Sequence, residues 1–172
     1  MTNFIHQRHK PPLELPGARE LILACPKLRT NVNLARIVRA AGCCGVRRMI
    51  VCGKPKIDRE IARDALDQIV LEHHHSLAPV LRELKSQGHA LVGLEQASRS
   101  QCLYEFPFPV RSVLVIGHER LGITEDVLAL LDHVVEIPVY LVRVWSEHPI
   151  EDIATVVQPE LVRIANTHTE NV

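Results

Sequence analysis

The sequence predicts an α/β domain with a mostly parallel sheet flanked by helices. Three observations carry that prediction. Short apolar, β-branched runs alternate with stretches of helical period along residues 20–138. The connections between them are short. The clearest unit, residues 113–138, reads strand, glycine turn, helix, strand. Parallel neighbours need a crossover of this kind, whereas antiparallel ones need only a hairpin.

The chain is taken in order. Residues 1–18 are punctuated by Pro11, Pro12, Pro16 and Gly17 and carry His6, Arg8, His9 and Lys10; they read as a flexible basic arm. A single domain is expected over 19–165, with a frayed tail at 166–172. Glu20–Cys25 is an apolar run ended by Pro26, hence the first strand. Asn33–Gly42 is a helix with Leu34, Ile37, Val38 and Ala41 inward and with Arg36 and Arg39 three apart on the outside. Arg47–Cys52 is a second strand, closed by Gly53 and Pro55. Asp58–Val70 has the spacing of one helix, and His73–His75 then read as a surface turn. Leu77–Gln87 is a helix stopped by Gly88, and His89–Leu94 is the third strand. Residues 102–109 form a Pro/Phe connection.

Val113–Ile116 stops at Gly117, which opens the Gly-x-Glu-x-x-Gly turn to Gly122. Thr124 is placed to cap a helix whose first turn holds Glu125 and Asp126. Val134–Ile137 is the next strand, stopped by Pro138. Ligands in such sheets sit outside the carboxyl ends of the strands, so the ends at Gly117 and Pro138 belong on the functional edge.

Composition narrows the function. Aromatic residues make up 3% of the 172-residue chain, which argues against base-stacking platforms of the RRM or OB kind. No apolar run approaches the ~20 residues of a membrane helix, and residues 1–10 lack a secretory apolar core. Net charge is zero, yet residues 1–60 hold 12 Lys/Arg against 4 Asp/Glu, a balance of +8, while the remainder holds 8 against 16. That asymmetry fits either a basic face for a polyanion or a merely dipolar surface. The five cysteines, two of them adjacent, do not form a disulfide framework or a Cys-x-x-Cys zinc pair. A reducing cytoplasm is expected, with no metal; consecutive histidines such as His73–His75 point in different directions and make a poor ligand set.

Three loops are expected on one sheet edge: 27–32, 95–100 and 117–122. A helix start beside glycine turns suits an anion or nucleotide. Asn33-x-x-x-x-x-Arg39 followed by Ala41 and Gly45 closely resembles the first motif of the SpoU-type (TrmH-like) RNA ribose methyltransferases, part of the SPOUT superfamily of α/β-knot enzymes. Gly117-x-Glu119-x-x-Gly122-Ile, Asp132 and Ile137-Pro138 resemble the second motif, and Leu94-Glu95 fits the same pattern. The resemblance covers roughly residues 20–140.

The resemblance implies a trefoil-knotted sheet, a homodimer, S-adenosylmethionine as methyl donor, and a 2′-O-methylated ribose in tRNA or rRNA as product. Carried over by position, Leu94, Gly117 and Ile137 would line the cofactor site, and Asn33, Arg39 and Glu119 fall at catalytic and structural positions. Arg36, Arg47, Arg48 and Lys54 are the candidate RNA contacts. The third motif of such enzymes, a glycine-bearing loop with Ser-x-Asn, is not recognisable: Ser146 is followed by Glu147-His148. Three readings follow: a working enzyme with a divergent end, an enzyme crippled by a frame-shifted or degraded end, or a relative that kept RNA binding and lost the transfer reaction.

Overall fold

The computed structural model describes residues 19–138. The expected arm at 1–18, and every expectation from Val139 onward, lie outside the described residues. In chain order the elements are β1 Glu20–Cys25, α1 Asn31–Cys43, β2 Arg48–Cys52, α2 Arg59–Ala62, α3 Ala65–Gln68, β3 Val70–His74, α4 Leu77–Ser86, β4 Ala90–Leu94, β5 Gln101–Cys102, β6 Arg111–Ile116, α5 Glu125–Leu128 and β7 His133–Glu136.

The seven strands form one sheet in the order β3-β2-β1-β6-β4-β7-β5, and every pairing is parallel. Side chains of successive strand residues leave by opposite faces, so β1 feeds two cores. Ile22 and Ala24 pack with Leu77, Leu81 and Leu84 of α4 and with Val127 of α5. Leu23 and Cys25 pack with Leu34, Ala35 and Val38 of α1 and with Ala62 and Ala65 of the α2–α3 pair. The central strands are covered on both faces, which is why they read as unbroken apolar runs rather than alternating ones.

Asp132 fastens the far half of the sheet. Its carboxylate accepts from the Leu91 N–H at 2.9 Å and pairs with the Lys85 ammonium at 2.7 Å, and its own N–H donates to the Leu91 carbonyl at 2.9 Å. Partial burial works against its charge, but the Leu91 N–H and Lys85 outweigh it, so the carboxyl sits below its ordinary value.

Several local expectations are corrected. The helix α1 begins at Asn31, two residues early, because the Thr30 side chain caps it by accepting from the Asn33 N–H at 3.2 Å. The single helix expected over 58–70 is two short helices broken at Arg63, whose φ of 55° is left-handed. Val70 then begins an edge strand, so His73 and His74 lie in β3 rather than in a turn. Pairing with β2 wins over helical period here, since an edge strand buries little and carries a weak alternation. Thr124 stands at the N-cap of α5 without a side-chain cap bond, and that helix is one turn long.

Parallel strands put all the carboxyl ends on one edge. On that edge β1 and β6 are neighbours. From β1 the chain goes by α1 to β2 on one side; from β6 it goes by α5 to β7 on the other. The two helices pack on opposite faces. The β1–β6 boundary is therefore the topological switch point, where two loops diverge and leave a crevice.

Candidate active site

The loop after β1 and the glycine turn after β6 meet at this boundary. Asn33 Nδ2, in the first turn of α1, donates to Glu119 Oε1 at 2.8 Å. The backbone N–H of Arg29 donates to Glu119 Oε2 at 3.0 Å. The Arg29 N–H, the Asn33 amide and a main-chain N–H of the turn hold the Glu119 carboxyl down to about 2. At neutral pH Glu119 is thus a fixed anion with its lone pairs engaged. It locks two loops together and is unsuited to taking up a proton.

His118 shapes the turn from within. Its backbone exchanges two hydrogen bonds of 2.9 Å with Gly122. Its Nδ1 accepts from the N–H groups of Arg120 at 3.1 Å and Leu121 at 3.3 Å. Nδ1 is thereby an acceptor, which leaves the ring proton on Nε2, 3.7 Å from Glu119.

Glu95, the first residue after β4, fills the turn. Its Oε2 accepts from the Ile123 N–H at 3.1 Å and its Oε1 from the Gln96 N–H at 3.1 Å, while its own N–H donates to Val135 O of β7 at 3.0 Å. A Cβ on Gly117 would lie 2.7 Å from Glu95 Oε2, and one on Gly122 would lie 2.5 Å from it. The two glycines make room for this carboxylate, and Gly122 also has a left-handed φ of 65°. On the Cβ side the space they leave belongs to Glu95 and not to a ligand. A sequence shows that glycines are required but not what occupies the room they leave.

The predicted residues divide into three groups. Leu94 is paired with Ile116 on one side and Val135 on the other, so Leu94, Gly117 and Ile137 stand at adjoining strand ends. Leu94 is half-buried and Ile137 is 48% exposed, an apolar ledge beside main-chain groups. Asn33 and Glu119 are in contact one strand over. Arg39 is apart from both: six residues along α1 place it about 9 Å further up the helix and about 120° around it from Asn33. Arg36 and Arg39 are exposed.

Of the candidate RNA contacts, Lys54 lies on the carboxyl edge. Arg47 and Arg48 stand at the start of β2, on the opposite edge, and Arg48 is held by Glu72 in a two-pronged pair of 2.6 and 3.0 Å.

Two cavities open along the carboxyl edge. One, of about 440 Å³, lies between the loops after β1 and β2 and is lined in part by Lys27, Asn31, Lys54 and Lys56. The other, of about 200 Å³, is mostly apolar and lies at the switch point beside Lys27, Ile116, His118 and Gly122. Neither is lined by Leu94, Gly117 or Ile137. Among the described residues there is no cluster of three metal-ligating side chains, and no helix is long and apolar enough to cross a membrane.

The model of the SpoU rRNA Methylase family matches residues 20–142. The chain belongs to that family. This SpoU-family chain is 33% identical over 111 residues to the tRNA (cytidine(34)-2'-O)-methyltransferase of Beijerinckia indica, a match that takes in 62% of this chain and 69% of that protein. It is 40% identical over 58 residues to the tRNA (guanosine(18)-2'-O)-methyltransferase TARBP1 of Mus musculus, covering 34% of this chain and 4% of that one. The SpoU-family chain thus spans only a small part of the mouse protein. Its fold is that of the Aquifex aeolicus TrmH/SpoU tRNA modifying enzyme, with a TM-score of 0.67 and 24% identity over 72% of this chain and 66% of that one.

Proposed function

We propose that this chain transfers a methyl group from S-adenosylmethionine to the 2′-hydroxyl of a ribose in tRNA or rRNA. The observation that carries the proposal is the Asn33–Glu119 bond of 2.8 Å at the switch point. It joins the two halves of the family's paired motifs beside strand ends that suit a nucleoside. The apolar ledge of Leu94 and Ile137 fits a base, and the peptide groups of the strand ends fit its polar rim. S-adenosylmethionine supplies an electrophilic methyl on a sulfonium. The chain's own residues have the remaining work, which is to bind both partners in line and exclude misaligned attack.

Glu119 keeps its charge and fixes the loops. A guanidinium is no simple base; the role of Arg39 is to orient an RNA phosphate and to balance the charge developing at the ribose oxygen. Arg39 is turned away from Asn33 within one chain. That separation favours a homodimer, in which Arg39 of one copy faces the cleft of the other. A trefoil-knotted sheet and a cytoplasmic setting belong to the same proposal.

The test is transfer of labelled methyl to a mixture of tRNA and rRNA transcripts, with nucleoside mass spectrometry to locate the 2′-O-methyl group. Arg39→Ala is expected to abolish transfer with the circular dichroism of the wild type retained. Binding of RNA without any binding of S-adenosylmethionine by the wild type would favour the last reading, an RNA-binding relative. The replacement of Ser-x-Asn by Ser146-Glu147-His148 is what keeps that reading in view.

A further inference from the structure

The larger cavity on the carboxyl edge takes no part in the contact between Asn33 and Glu119, yet it adjoins it. Its wall combines Lys27 and Thr30 from the loop after β1 with Lys54 and Lys56 from the loop after β2. All three lysines are exposed, and among the described residues none that forms the wall is acidic. Lys27 also lines the apolar cavity at the switch point, so it stands between the two.

The charge on this edge is therefore divided. On one side of the crevice Glu119 is ionised, and Glu95 occupies the middle of the glycine turn. A phosphodiester placed there would meet negative charge. On the other side a hollow of about 440 Å³ is lined in part by Lys27, Lys54 and Lys56. For a strand of RNA that presents a ribose at the crevice, the lysine side is the favourable place for a neighbouring phosphate.

We propose that the hollow formed by Lys27, Lys54 and Lys56 is a phosphate cradle that holds a backbone phosphate of the substrate RNA beside the target ribose, fixing the direction in which the strand crosses the sheet edge. This rests on the proposed function. The cradle positions the substrate and takes no part in methyl transfer.

The experiment compares the full-length wild type with the triple variant K27Q/K54Q/K56Q in RNA binding across a salt series. Each phosphate contact contributes about 0.7 to the slope of log affinity against log salt for a single strand. The triple variant, which gives up one phosphate contact, is expected to lose about 0.7 from that slope, while Arg82→Ala on α4 leaves it unchanged. Millimolar inorganic phosphate is expected to perturb the lysine side-chain NMR signals of the wild type and to compete with RNA. A wild type that binds RNA, with an undiminished slope in the triple variant, overturns the cradle alone. Phosphate perturbation with an undiminished RNA slope assigns the hollow to free anions and also overturns it. A wild type that binds no RNA in any salt sinks the proposed function together with the cradle. Retained circular dichroism and thermal midpoint in the triple variant separate each result from misfolding.

Discussion

Glu119 is the most strongly perturbed carboxyl of the site. Its carboxyl is held near 2 against an ordinary 4.5. A depressed carboxyl stabilises the folded state while ionised; that contribution is complete above about 4.5 and is lost as pH falls from there through about 2. Glu119→Gln removes the ionisation. The stability gap between wild type and variant is therefore expected to be widest near neutral pH and to close on acidification, as read by urea denaturation at several pH values. A gap that stays constant down to about pH 3 would contradict the assigned hydrogen bonds. Glu95 acts on the same turn through packing. Gly117→Ala is expected to cost about 1–3 kcal/mol, because the new methyl overlaps the Glu95 carboxylate. Adding Glu95→Ala should recover part of that loss in a double-mutant cycle. Gly122→Ala should recover less, since its left-handed φ of 65° persists whatever side chain stands at 95.

At the scale of elements, α1 carries both halves of the first motif, and its start is set by Thr30. Thr30→Ala removes the cap on the Asn33 N–H and should cost about 1 kcal/mol. It should also loosen Asn33 from Glu119, so transfer is expected to fall by more than the stability loss explains. Hydrogen exchange at Arg29 and Asn33, measured beside the kinetics, checks that link. The turn after β6 is the second such element. Its length and glycines were legible in the sequence as a strand-to-helix connection. His118 as its internal brace was not, because a histidine between a glycine and an acid has no pattern of its own. The lost helix at 58–70 shows the opposite error: Ile61, Ala65, Leu66 and Ile69 have helical spacing, yet Ala62, Ala65 and Ile69 are buried from two separate turns.

At the largest scale, among the described residues, stability rests on two cores divided by one sheet. Leu91 is fully buried in the middle of β4, among α4 and the neighbouring strands. Leu91→Ala should cost about 2–5 kcal/mol, read from the denaturation midpoint, and should weaken the hold of Asp132 on β4. Burial pushes the Cys25 thiol up to about 12, whereas Cys43 and Cys44 are exposed. A thiol reagent is expected to label Cys43 and Cys44 in the native protein and to reach Cys25 only after unfolding, as mass spectrometry of native and denatured samples would show.

The sequence by itself determined the class of fold, most strands and helices, and the residues of both motifs. Those features are written locally, in apolar runs, glycine punctuation and short fixed spacings, and local chemistry is legible one stretch at a time. Only the tertiary structure decided that Asn33 meets Glu119 across 86 residues, that Glu95 fills the glycine turn, that Arg48 is taken by Glu72, and that three lysines from two loops share one hollow. Each of these depends on strand order, and strand order follows from how helices cover both faces of the sheet, which no single stretch of chain encodes.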